Sequence, residues 1–138
     1  MTESELHRLV ARHIHGGCDR FENLISAGIF DSNLYYNNRE AWVEYKISHN
    51  GIMYVRGSQY VWGTRRLQQG MTNMFFLVAN PAAQLMLFKA VDVFEICHLE
   101  NTDKAGSFMT DIKPLASLLQ HSTGPRMWEE ANEALFMG

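Results

Sequence analysis

Between Asp31 and Lys46 the chain reads DSNLYYNNREAWVEYK, and this stretch holds the residues best suited to chemistry. Side chains alternate faces along a strand, so Glu44 and Lys46 share a face while Tyr45 points to the other. A hairpin turning at Asn37-Asn38 would return the chain so that Asp31 lies beside Glu44. Two carboxylates and an ammonium would then converge on one spot, a combination that holds a hard divalent cation and offsets charge on a phosphate. Each part alone is ordinary. An acid–lysine pair on a solvated strand contributes under about 1 kcal/mol, and a lone aspartate is commonly a turn or cap residue. Context raises the signal: Trp42, Val43 and Ile47 would bury the run, and burying two acids with one lysine is costly unless function retains them.

The elements that must position this stretch follow from periodicity and punctuation. Residues 3–15 read as a helix, with Thr2 and Ser4 as caps, acids in the first turn, and Leu6, Leu9, Val10 and Ile14 at helical spacing. Gly16-Gly17 ends it. His7, His13, His15 and Cys18 match no standard zinc spacing and read as surface histidines near a helix C-terminus. A short strand is expected at 20–25, then strands at 32–36 and 41–47, a turn at 48–51 and a short apolar piece at 52–55. Ser58 reads as the N-cap of a helix over 59–69 closed by Gly70, with Gly63 marking close packing. Residues 74–79 read as a buried strand paired through an Asn80-Pro81 turn with 84–88, while 91–99 is strand or short helix. A polar loop at 101–107, an Asp111-capped helix at 112–120 and an amphipathic helix at 126–136 complete the chain. Trp128, Ala131 and Leu135 form one stripe of that last helix. The expected architecture is one α/β domain over 1–138, its core in about 1–100 and a helical extension in 101–138.

Composition sets bounds. Apolar residues make up 46% of the 138 and charged residues 20%, ordinary for a globular protein. The formal net charge of −3 is not the basic excess of a protein that lives on DNA phosphates, so any nucleic-acid role must rest on local charge and metal. No apolar run reaches the roughly 18 residues of a membrane span. Acids in MTESELHRLV stand where a signal peptide carries basic residues, so no secretory segment is expected. Cys18 and Cys97, far apart and in no CxxC, read as free thiols of a cytoplasmic protein.

The segment ENLISAGIFDSNLYYNNREAWVEYK, followed by RGSQYVW, resembles the PD-(D/E)XK nuclease superfamily, especially its small phage-type and VRR-NUC-like members and the archaeal Holliday-junction resolvases. Those proteins show a glycine, Pro-Asp, a hairpin ending in aromatic-apolar-Glu-x-Lys, and a glutamine opening a helix. This chain supplies Gly28, Asp31, Trp42-Val43-Glu44-Tyr45-Lys46 and Gln59, within a likeness spanning residues 22–88. Phe30 stands where the family has proline. The resemblance implies a restriction-endonuclease-like αβββαβ core, with a mixed central sheet flanked by helices, and a Mg²⁺- or Mn²⁺-dependent endonuclease acting on branched DNA as a homodimer. By the same resemblance, Asp31, Glu44 and the backbone carbonyl of Tyr45 hold the metal, with Glu3 as a further carboxylate and Glu5 its rival. Lys46 and Gln59 serve the attacking water, and Arg56, Arg65 and Arg66 line the DNA backbone. The Trp128 helix or the 74–88 hairpin is the candidate dimer interface. Two other readings stay open: a catalytically silent nuclease-like fold that binds a protein partner, and a small α/β protein in which Glu44 and Lys46 are an ordinary surface pair.

Overall fold

The computed structural model describes residues 1–20, 28–99, 107–120 and 123–137. Helix α1 (Glu3–His13) opens on Thr2, whose hydroxyl accepts the Glu5 N–H at 3.1 Å, and it buries Leu6 and Val10. It stops short of the expected residue 15 because Ile14 is already extended, and Gly16 turns the chain at φ +106°.

Strand β1 (Gly17–Arg20) starts earlier than the expected 20–25, whose remaining residues lie outside those described. It pairs antiparallel with β2 (Ser32–Tyr36), and β2 pairs antiparallel with β3 (Arg39–Ile47). The β2–β3 turn is Asn37-Asn38, both left-handed at φ 54° and 61°, the conformation a two-residue turn needs to match strand twist. Strand β4 (Ile52–Arg56) runs directly into α2 (Gly57–Gln68). Next come β5 (Met74–Ala79), parallel to β3, and β6 (Leu85–Lys89), antiparallel to β5. The 91–99 run resolves into α3 (Ala90–Ile96) and β7 (His98–Leu99). Strand β8 (Ser107–Asp111) and helix α4 (Pro125–Phe136) follow.

The central sheet has the order β1-β2-β3-β5-β6 and is mixed, parallel only between β3 and β5. With α1 before it and α2 crossing from β3 to β5, the expected αβββαβ core and flanking helices are present. Helices α1 and α4 cover one face, where Leu6, Val10, Trp128 and Leu135 pack on Val43, Tyr45, Phe75 and Leu77. On the other face Met74, Phe76 and Val78 meet Phe30, Val55, Val93 and Phe94. Strand β5 faces a core on each side, which is why MFFLVA is an unbroken apolar run with all six residues buried.

The short apolar piece at 52–55 is part of β4, which pairs outside the central sheet with β8, and β8 also pairs with β7, in a separate three-stranded sheet. Two expectations need correction. Residues 112–120 form no helix. Leu118 donates its N–H to the Leu87 carbonyl (2.8 Å) and Ser117 Oγ accepts the Leu87 N–H (3.0 Å), so this segment spends its polar groups covering the outer edge of β6. The polar loop expected over 101–107 ends at the start of β8, and its earlier residues lie outside those described.

Candidate active site

Strand β2 is shorter than its partner. Its pairing ends at Ser32 opposite Val43, so β3 runs on through Glu44–Ile47 with no strand on its β2-side edge among the described residues. Asp31 fills the first of that gap. Its carboxylate accepts the Tyr45 N–H at 3.2 Å, and its own N–H donates to Glu44 Oε1 at 3.1 Å. The hairpin therefore brings Asp31 and Glu44 together as the alternation required. In a strand a residue's N–H and C=O point to the same side, so the Tyr45 carbonyl also faces the Asp31 edge.

Helix α2 closes the other side. Its N-cap is Arg56 rather than the expected Ser58, which places Gln59 at the third helical position, where a glutamine side chain reaches back to the cap. Gln59 Oε1 accepts the Arg56 N–H at 3.1 Å and Lys46 Nζ at 2.9 Å, while its Nε2 donates to Glu44 Oε2. Lys46 Nζ also lies 3.5 Å from Glu44 Oε2. One side chain thus caps a helix and ties an acid to a lysine. Gly28, at φ +89°, packs so closely on the Ser58 carbonyl that any Cβ would overlap it, fixing the Asp31 segment against the start of α2.

The electrostatics are those of an acid pair short of positive charge. Glu44 is 1% exposed. Burial, and then the charge of Asp31 across the gap, push its carboxyl up to about 8, against the pull of Lys46. Glu3 at the start of α1 adds to the repulsion on Glu44. Glu3 is exposed and acts on Glu44 through its charge, while α1 itself is packed through Leu6 and Val10.

Of the remaining expected residues, Arg56 and Arg65 are exposed, and the Arg66 guanidinium stacks 5.2 Å over the Trp62 ring. Phe30 is buried among Trp62, Phe76 and Phe94, so the residue in the family's proline position anchors the segment through its side chain. The histidines are not simply surface residues at a helix end. His7 lies mid-helix, tilted over the Tyr45 ring at 5.6 Å, with Nδ1 3.4 Å from Ser32 Oγ. Its pKa is lowered by burial and by Arg20, while Asp31 opposes the shift. Sequence reasoning missed His7 as a neighbour of the acid pair, although its i, i+4 spacing from Glu3 put both on one helix face.

The donor set suits a hard divalent cation. Among the described residues no three His, Cys, Asp or Glu side chains gather closely enough to hold a metal ion. A cation here would therefore rest on the Asp31 and Glu44 carboxylates, the Tyr45 carbonyl and water, an all-oxygen set of the kind Mg²⁺ and Mn²⁺ accept. Burial and the neighbouring Asp31 disfavour the ionised form of Glu44, and a dication bound beside the two carboxylates would favour it.

Neither the protein-family models nor the curated protein sequences contain a match to the chain. Among solved structures it is similar to Hjc of Archaeoglobus fulgidus, a Holliday junction resolvase from an archaeal hyperthermophile. The match has a TM-score of 0.54 and 15% sequence identity, and covers 82% of this chain and 88% of that one. The two share a fold: a mixed α/β architecture with a central mixed sheet flanked by helices.

Proposed function

We propose that this protein is a metal-dependent DNA endonuclease of the PD-(D/E)XK type that hydrolyses phosphodiester bonds, with a preference for branched DNA. The observation that carries the reading is the single hydrogen-bonded cluster of Asp31, Glu44, Lys46 and Gln59 where β3 runs on beyond β2. The resolvase fold supports it. Asp31, Glu44 and the Tyr45 carbonyl would hold Mg²⁺ or Mn²⁺. When bound, such an ion polarises the scissile phosphate and acidifies water. Lys46, held by Gln59, orients the attacking water and offsets charge developing on the phosphate. Glu3 completes the acidic side from α1. Arg56, Arg65 and Arg66 position the DNA backbone through charge-assisted contacts.

A four-way junction needs two cuts, so the acting form would be a homodimer. Its interface would lie elsewhere than first expected, because the Trp128 stripe is core and the middle of the β6 edge is taken by residues 117 and 118. A phage or prophage origin is part of the same proposal. The net charge of −3 favours one competing reading, a silent nuclease-like fold that binds a protein.

One assay separates them. A labelled four-way junction and a matching linear duplex are incubated with Mg²⁺, Mn²⁺ or EDTA, using wild type, Asp31→Ala and Lys46→Ala. Metal-dependent cutting that falls by at least about a hundredfold in both variants is expected. A folded wild type that cuts neither DNA with either metal and binds no metal would sink the enzyme.

A further inference from the structure

Strand β4 leaves the central sheet just after the site strand and returns to the site at Arg56, whose N–H is bonded to Gln59 Oε1. Alternation along β4 buries Met53 and Val55 in the second core and turns Ile52, Tyr54 and Arg56 outward. The antiparallel register sets Met109 of β8 directly beside Tyr54, and Asp111 beside Ile52. Tyr54 is 51% exposed and Met109 37%, an aromatic and a thioether side by side on an open sheet face. Cations stand at both ends of the strip: exposed Arg56 next to the candidate site, and Lys113 beyond, 3.7 Å from the Asp111 carboxylate it offsets.

We propose that the outer face of β4 and β8 is a stacking platform for an unpaired DNA strand running to the scissile phosphate, with Tyr54 under a base and Arg56 on the adjoining phosphate. This rests on the nuclease reading and narrows its substrate class to DNA with an unstacked strand beside the cut. The occupant follows from the chemistry of the strip. In duplex DNA the base faces are covered by one another, so an exposed aromatic ring serves only bases that have left the stack. Among the described residues the strip offers one aromatic ring and one thioether near the Arg56 and Lys113 cations, a combination that suits one base between phosphates. Arg56 belongs to both: its side chain stands on the strip's end and its backbone N–H is bonded to Gln59 Oε1 of the site.

The test measures binding by fluorescence anisotropy in EDTA, so that nothing is cut, with labelled oligo-dT and a labelled linear duplex. The proteins are the full-chain wild type, Tyr54→Ala and Tyr54→Phe, with thermal melts to confirm folding. The expected result is that Tyr54→Ala weakens oligo-dT binding about tenfold, Tyr54→Phe restores it, and duplex affinity changes far less. The platform is overturned if wild type does not bind oligo-dT, or if Tyr54→Ala binds it normally or weakens both DNAs alike. It is equally overturned if Tyr54→Ala only turns a dimer into a monomer, which would make this face a contact between copies. Failure of the nuclease reading looks different: oligo-dT held through Tyr54, but no DNA cut in Mg²⁺ or Mn²⁺. Cleavage with no dependence of binding on Tyr54 sinks the platform and leaves the nuclease standing.

Discussion

Glu44 is the residue on which most of the site's physics falls. Its folded pKa of about 8 lies above the ordinary 4.5, so the folded protein binds a proton that the unfolded chain has released across that interval. Stability from this group is full below about pH 4.5 and is lost as pH rises toward 8. In metal-free buffer, the unfolding free energy from urea titrations should therefore fall over this window, by up to about 1.4 kcal/mol per pH unit. Glu44→Gln should flatten that slope, and saturating Mg²⁺ should reduce it in wild type, because a cation favours the ionised form. A slope unchanged in Glu44→Gln would mean another group dominates. Gln59 gives a second test. Its amide bonds Glu44, Lys46 and the Arg56 N–H, so Gln59→Ala strands several buried polar groups at once and should cost about 2–4 kcal/mol in chemical denaturation. A loss below about 0.5 kcal/mol would show that water replaces the amide freely. Much of this was legible beforehand: alternation put Glu44 and Lys46 on one face, and the Asn-Asn turn returned Asp31 to them. His7 was not, because its partners Ser32 and Tyr45 come from strands far along the chain.

Elements are positioned by a few close approaches that glycine permits. Gly63 of α2 faces the Phe94 ring of α3, and a Cβ there would overlap the ring. Alanine is the better helix former by about 1 kcal/mol, yet Gly63→Ala should destabilise by about 1–3 kcal/mol, because the overlap forces α2 and α3 apart. A higher melting temperature in that variant would show the ring yields easily. The helix expected over 112–120 failed for a reason of the same scale. Asp111 and Pro114 are acceptable at a helix start, but Asp111 Oδ1 instead takes the Lys113 N–H at 3.0 Å in a local turn, and the following residues pair with β6. Local propensity was outbid by an edge strand needing cover. Strand β4 shows the converse. Ile52 to Val55 was recognisably apolar and short, yet the partner that made it a strand, β8, lies between the expected loop at 101–107 and the expected Asp111 cap, where no strand was expected.

At the scale of the whole molecule, two cores lie on opposite faces of one sheet, and the site sits at the edge where β2 ends early. Helix α4 belongs to the first core: Trp128 is buried against it and stacks on His13 at 5.0 Å, and Asn132 Oδ1 accepts the His15 N–H at 2.6 Å. The end of the chain thus clamps the end of α1, the helix that carries Glu3 and His7. Trp128→Ala should cost about 3–5 kcal/mol, and cleavage measured well below the variant's melting point should fall further than the folded fraction explains, because α1 loses its anchor. Activity that tracks the folded fraction alone would confine α4 to a stability role.

The sequence by itself determined what depends on near neighbours: the Asn37-Asn38 turn, the faces of β3, the burial of MFFLVA, and an order of helix, strands, helix and strands. These follow from backbone geometry and from periods of 2 and 3.6 residues, which any short window displays. Only the tertiary structure decided that β4 leaves for a second sheet, that Gln59 joins Lys46 to Glu44 while capping α2, and that residues 117 and 118 cover β6 instead of coiling. Each of those outcomes satisfies a buried polar group or an open strand edge with a partner distant in sequence, and such a partner is fixed by packing rather than by local preference.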